Sequence, residues 1–237
     1  MEEEYHITEE ERIRRELEAE EKQKKHEKAR KWIRIAAVVI LLAVVAFFVY
    51  DSHQPKAQRK PVIYLYPETA TEVTVQLDYD GELTTTYPAY SGAWKVTAEP
   101  DGTLTDADGK VYNYLFWEGV SRRRFDLSEG FCVKGSDTAT FLEDALAKLG
   151  LTRREANEFI VYWLPLMENN AYNVISFQTN AYTDGAKLMV DPEPDTVIRV
   201  FMAWYGCKRF KEIPAQELTT PERKGFTVVE WGGSEVR

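Results

Sequence analysis

Residues 72–87 read Glu72-Val-Thr-Val-Gln-Leu-Asp-Tyr-Asp-Gly-Glu-Leu-Thr-Thr-Thr-Tyr87. Val73, Val75, Leu77 and Tyr79 alternate with Thr74, Gln76 and Asp78, so 72–79 predicts a strand with one buried and one wet face. Asp80-Gly81 is a tight-turn signature, and 82–87 is again β-branched and aromatic.

The same signals extend on both sides. Segments 62–66, 93–98 and 110–117 predict further strands, punctuated by Pro100-Asp101-Gly102 and Asp108-Gly109. Segment 110–117 is apolar on both faces, which predicts a central strand. Two helices follow. Phe141, Leu142, Ala145, Leu146 and Leu149 have helical spacing, closed by Gly150. Thr152-Arg153-Arg154-Glu155 is a capping box opening a second helix, with an apolar stripe of Ala156, Phe159, Ile160 and Trp163 and a stop at Pro165. Strand signals return at 173–178, 187–190, 196–204 and 226–231. The expectation for residues 61–237 is a β-rich, sandwich-like α+β domain with a two-helix insert.

Ahead of it, residues 35–50 hold no charged or strongly polar side chain, and 32–50 would make about 28 Å of helix, close to the hydrocarbon thickness of a bilayer. Trp32 and Tyr50 bracket the span as interfacial aromatics, and Arg34 can snorkel. Residues 15–34 carry eight Lys or Arg and 51–70 carry three, which predicts a single-pass anchor in the plasma membrane with the N-terminus cytoplasmic and residues 51–237 outside. No A-x-A-like cleavage site follows the span, so an uncleaved anchor is favoured over a signal peptide. The arm, residues 1–31, predicts a charged helix. It has capping-box spacing at Thr8 and Glu11 and i,i+4 pairs such as Glu18/Lys22 and Glu20/Lys24. Its basic stretch 22–34 could touch anionic lipid. Residues 51–60 read as a polar stalk.

Composition narrows the chemistry. The chain has 237 residues and a net charge of −9, and its three histidines, His6, His26 and His53, all precede the globular segment. An imidazole-free domain has no Ser-His-Asp triad, Cys-His pair or histidine metal site, and two cysteines cannot build a zinc site alone. No Walker A or G-x-G-x-x-G sequence occurs, so neither nucleotide nor other cofactor is expected. After Tyr50 there are 28 acidic and 20 basic residues, which argues against a nucleic-acid partner. Asp106-Ala107-Asp108-Gly109 lacks the full ligand set of a calcium loop and reads as a hairpin turn, so no metal is expected. Arg122-Arg123-Arg124 reads as a solvated loop, with a patch for anionic polymer as the lesser reading.

What remains is carboxylates among aromatics. Glu118, Glu168 and Glu230 each close an apolar run, where burial would raise a carboxyl pKa. Two such groups across a cleft, with Trp117 or Trp231 as platforms, would be the layout of a glycosidase. Arg199, inside an apolar strand, needs a carboxylate partner if buried, and that pairing would account for one glutamate structurally. The structural roles are favoured. Cys132 and Cys207 are either a disulfide or two independent buried thiols.

From Lys60 onward the chain resembles an uncharacterised family of membrane-anchored or exported bacterial proteins with more distant fungal relatives. The segments that carry the resemblance are Lys60-Pro-Val-Ile-Tyr-Leu-Tyr-Pro67, Tyr114-Leu-Phe-Trp-Glu-Gly119 and Glu158-Phe-Ile-Val-Tyr-Trp-Leu-Pro-Leu-Met-Glu168, together with Tyr172-Asn-Val-Ile-Ser-Phe177, Ile198-Arg-Val-Phe-Met202 and Val229-Glu-Trp-Gly-Gly233. The resemblance brings no activity or site. The resulting expectation is an envelope protein whose outer domain binds or organises a cell-surface glycan or protein without catalysis. The alternative is a histidine-free glycan hydrolase with paired glutamates.

Overall fold

A computed structural model describes residues 9–52, 54, 56–219 and 222–236. The chain divides into two units, Met1–Gln54 and Pro55–Arg237. In the first, the charged arm and the apolar span form one unbroken helix, α1 (Glu9–Ser52). It is long and apolar enough to cross a membrane, and the apolar side chains along it are exposed. In the arm, Lys24 Nζ lies 3.4 Å from Glu20, and Arg14 lies 3.9 Å from Glu18. The capping box at Thr8 and Glu11 lies outside the described residues.

The second unit contains β1 (Lys56–Tyr66), β2 (Thr71–Tyr79), β3 (Glu82–Tyr87), β4 (Trp94–Ala98), β5 (Leu104–Thr105), β6 (Val111–Tyr112), β7 (Leu115–Ser121) and β8 (Phe131–Lys134). These are followed by α2 (Thr138–Lys148), α3 (Arg153–Met167), β9 (Tyr172–Gln178), α4 (Asn180–Thr183), β10 (Ala186–Asp191), β11 (Thr196–Cys207) and β12 (Thr227–Glu235). The strands form a seven-stranded sheet, in the order β3-β7-β1-β12-β11-β9-β8, and a five-stranded sheet, β10-β2-β4-β5-β6. The fold is thus α+β, mostly β, with two sheets.

Each face of the larger sheet has its own core. On one side Val62, Val200, Met202, Val229 and Trp231 pack against Leu142 and Leu146 of α2 and Phe159 and Trp163 of α3. On the other, Ile63, Leu65, Trp117, Phe201 and Val228 pack against Val73, Val75, Trp94 and Val96 of the smaller sheet. The seven-stranded sheet is therefore the middle layer, and the parity of a residue along its strand decides which core it joins.

Local signals explain much of this layout. The capping box of α3 is formed: Thr152 Oγ1 accepts the Glu155 amide, and Glu155 Oε2 accepts the Thr152 amide at 2.7 Å. The Asp106 turn is held by its own carboxylate, which accepts the amides of Asp108 and Lys110 at 3.0 and 2.9 Å.

Several expectations change. Of the stalk, residues 51–60, the described part is largely regular structure, because α1 runs to Ser52 and residues 56–58 pair with Ser121–Gly119 of β7. Segment 110–117 splits between the two sheets as β6 and β7 rather than forming one strand. Pro165 lies inside α3, two residues from its end. There it removes a single hydrogen bond, to the carbonyl of the exposed Val161, and the helix continues. Asp80-Gly81 does not close a hairpin within one sheet but carries the chain from the smaller sheet into the larger. A Cβ at Gly81 would sit 2.4 Å from the Val120 carbonyl and 2.6 Å from the Tyr79 ring, so only glycine fits this corner. Strands β5 and β8 and helix α4 are too short to leave a periodic signal.

Candidate ligand surface

Three of the singled-out residues meet between the two sheets. β11 and β12 run parallel with Arg199 opposite Glu230. Arg199 Nε donates to Glu230 Oε2 at 2.7 Å, and its Nη2 lies 2.6 Å from the same oxygen. Trp117 Nε1 donates to Glu230 Oε1 at 3.1 Å. The Arg199 guanidinium lies over the Tyr182 ring, 4.8 Å from its centroid, and Tyr182 stacks on Phe201. Glu230, Trp117 and Tyr182 are all buried. Burial alone would lower the Arg199 pKa, but the Glu230 carboxylate outweighs it and raises it; burial and then Glu230 push the Tyr182 phenol well up. A charge pair with each carboxylate oxygen satisfied is a packing element of the core.

The other two glutamates lie elsewhere. Glu118 follows Trp117 in β7, so it projects from the opposite face, toward the helices. Glu168 is exposed at the C-terminal cap of α3. The three glutamates share no cleft. Trp117 and Trp231 are each wholly buried, in different cores, and neither offers a platform. Cys132 and Cys207 are free thiols on β8 and β11, which flank β9. The two thiols lie close enough to interact: burial and then the Cys132 thiol raise the Cys207 pKa. Cys132 Sγ accepts the Lys211 amide beside a cavity of about 250 Å3. Arg123 braces the Asp80-Gly81 corner through a 2.8 Å bond to Asp80, so the middle arginine of its triplet is a strut.

The helix-side face around Glu118 holds a different cluster. β1 carries one extra residue against both neighbours: Gln58 pairs with Gly119 and Val62 with Phe116, while Arg59 pairs with Gly233 and Val62 with Trp231. At this bulge Lys60 has φ +57°, unique among the described non-glycine residues. Its amide donates to Glu118 Oε1 at 3.2 Å. Its ammonium lies 5.3, 5.9 and 5.8 Å from the ring centroids of Tyr114, Phe116 and Tyr162, and Nζ is 3.4 Å from Tyr114 Oη. Tyr64 meets Tyr114 edge-on at 5.4 Å, stacks with Tyr66 at 6.0 Å, and donates to Glu158 Oε2 at 2.9 Å. Burial, followed by the charge of Glu118, raises the Tyr162 phenol. Lys60, Tyr114, Phe116, Glu118, Glu158 and Tyr162 are half-buried, with one side in the protein and the other in solvent.

Lys60, Glu158 and the tyrosines were not among the singled-out residues. The available signal was their shared membership of three quoted segments, 60–67, 114–119 and 158–168, which the fold brings to one place. Among known proteins, no family model matches this chain and no solved structure matches it. The chain is similar to the Butyrivibrio fibrisolvens protein described as "uncharacterized protein in bglA 3'region", at 52% identity over 63 residues, which are 25% of this chain and 65% of that protein, so the match spans less than two thirds of the relative's length.

Proposed function

We propose that the chain is a single-pass, membrane-anchored binding protein of the cell envelope. In this reading the arm is cytoplasmic and the second unit lies outside, where it engages a cell-surface glycan through the cluster around Lys60. The observation that carries the reading is the convergence of residues 60–67, 114–119 and 158–168 on one half-exposed patch of aromatic rings flanked by two carboxylates. Rings stack on the C–H faces of sugars, and carboxylates accept sugar hydroxyls, so this is the chemistry of carbohydrate recognition. The apolar length of α1 and the excess of Lys and Arg before it support the topology.

The full chain in nanodiscs should retain purified envelope glycan, and Tyr162→Ala should weaken retention by about tenfold. Equal retention by the two, with matching near-ultraviolet circular dichroism, would remove the cluster from the binding surface. Protease added outside intact cells should release the second unit. Full protection would sink the topology.

A further inference from the structure

The bulge in β1 places a lysine where the backbone asks for glycine. A residue with φ near +57° at an extra-residue bulge is ordinarily glycine, because a Cβ there crowds the following carbonyl. Lys60 occupies the position nonetheless, and its side chain enters a ring of three aromatics, Tyr114, Phe116 and Tyr162, at 5.3–5.9 Å from their centroids. The Glu118 carboxylate completes the ring by accepting the Lys60 amide. Several aromatic faces with an adjacent carboxylate form the arrangement by which proteins hold organic ammonium groups. Strain that the surroundings over-determine points to a use for the side chain that causes it.

We infer that this ring is an ammonium-binding cage, that Lys60 is its resident occupant, and that an ammonium group carried by the ligand exchanges with it. The inference rests on the cluster being a ligand surface and sharpens its substrate class: the glycan bears a cationic nitrogen, either a free amino sugar or a quaternary ammonium substituent. Lys60 then acts as an internal competitor. It sets the affinity low enough that simple ammonium salts do not hold the site, and a polymer with many ammonium groups binds through repeated exchange.

Lys60→Gly is the decisive variant, since it empties the cage while giving the bulge the residue its backbone favours. The full chain in nanodiscs is titrated calorimetrically with tetramethylammonium, glucosamine and N-acetylglucosamine. Lys60→Gly should bind at least one of the two cations about tenfold more tightly than the unmodified chain, and the better cation identifies the source. N-acetylglucosamine should gain nothing, and adding Phe116→Ala to Lys60→Gly should abolish the gain. No gain for either cation with the fold retained, or an equal gain for N-acetylglucosamine, overturns the cage. Should Lys60→Gly lose the fold, Lys60→Gln, which withdraws the charge alone, is measured with the same ordering required. A chain that gains cation affinity yet retains no envelope glycan would sink the glycan reading and leave the cage standing. Glycan retention without cation gain does the reverse.

Discussion

On the inter-sheet face of the seven-stranded sheet, Glu230 is wholly buried against Arg199 and the Trp117 indole. On the helix-side face, Glu118 and Lys60 are half-buried among Tyr114, Phe116 and Tyr162. Both faces bring together a carboxylate, a cation and aromatic rings, and Trp117 and Glu118 are consecutive residues. Burial decides what the same chemistry does. Between the sheets a charge pair closed to solvent fixes packing, whereas at the helix side the Glu118 carboxylate accepts the Lys60 backbone amide and stays partly open to solvent, the feature on which the proposed ligand surface rests.

The comparison breaks most visibly at Arg199. Arg199→Met leaves a buried, uncompensated carboxylate at Glu230, and it should cost about 3–5 kcal/mol in chemical denaturation of the full chain. Arg199→Met with Glu230→Leu should recover most of that loss. A single-variant cost under about 1 kcal/mol would place the pair with surface ion pairs.

Alkaline titration follows in size. Burial comes first and nearby carboxylates second in holding the Tyr64 and Tyr66 phenols above their ordinary value, and Tyr182 behaves alike. The unfolded chain sheds these protons near pH 10 while the fold retains them, so their stabilisation is complete below about pH 10 and is lost as pH rises further. Tyrosinate absorbance should therefore rise together with loss of near-ultraviolet dichroism. Titration of all the tyrosines near pH 10 in an intact fold would contradict the buried assignment.

On the helix side the effects on stability shrink. Lys60→Gly should change stability by less than about 1 kcal/mol, because relief of the left-handed backbone offsets the lost cation–π contacts. A loss of several kcal/mol would make Lys60 a core strut like Arg199 and erase the contrast. Smallest of all, Glu168→Gln removes a negative charge from the C-terminal end of α3 and should raise stability by about 0.3 kcal/mol, read as a slightly higher Tm. A clear decrease would give Glu168 a partner of its own.

Much of this architecture is legible in single residues. The alternation in 72–79, the box at Thr152 and Glu155, and the need of Arg199 for a carboxylate all rest on local spacing or on the chemistry of one side chain. What is not legible depends on parity and on corners. Glu118 and Glu230 close similar apolar runs, and only the register through β1 shows that they face opposite ways. Asp80-Gly81 has the composition of a hairpin turn, but the approach of Gly81 to the Val120 carbonyl, at the corner where the chain passes to the other sheet, involves a residue distant in sequence. Lys60 escapes notice because its cage is assembled from Tyr114 ahead of β7, Phe116 in β7 and Tyr162 in α3, and a lysine beside a proline carries no pattern of its own.

The place of β12 in the larger sheet bears on what holds the two halves of that sheet together. It lies between β1 and β11, so the last described strand joins the first to the rest. Without β12, the larger sheet would fall into β3, β7 and β1 on one side and β11, β9 and β8 on the other, with two unpaired inner edges. Such edges recruit strands from any chain nearby, so displacement of β12 would expose the sheet to mispairing. β12 closes both edges and, through Glu230, supplies the carboxylate that pairs with Arg199. One strand is thus the keystone of seven.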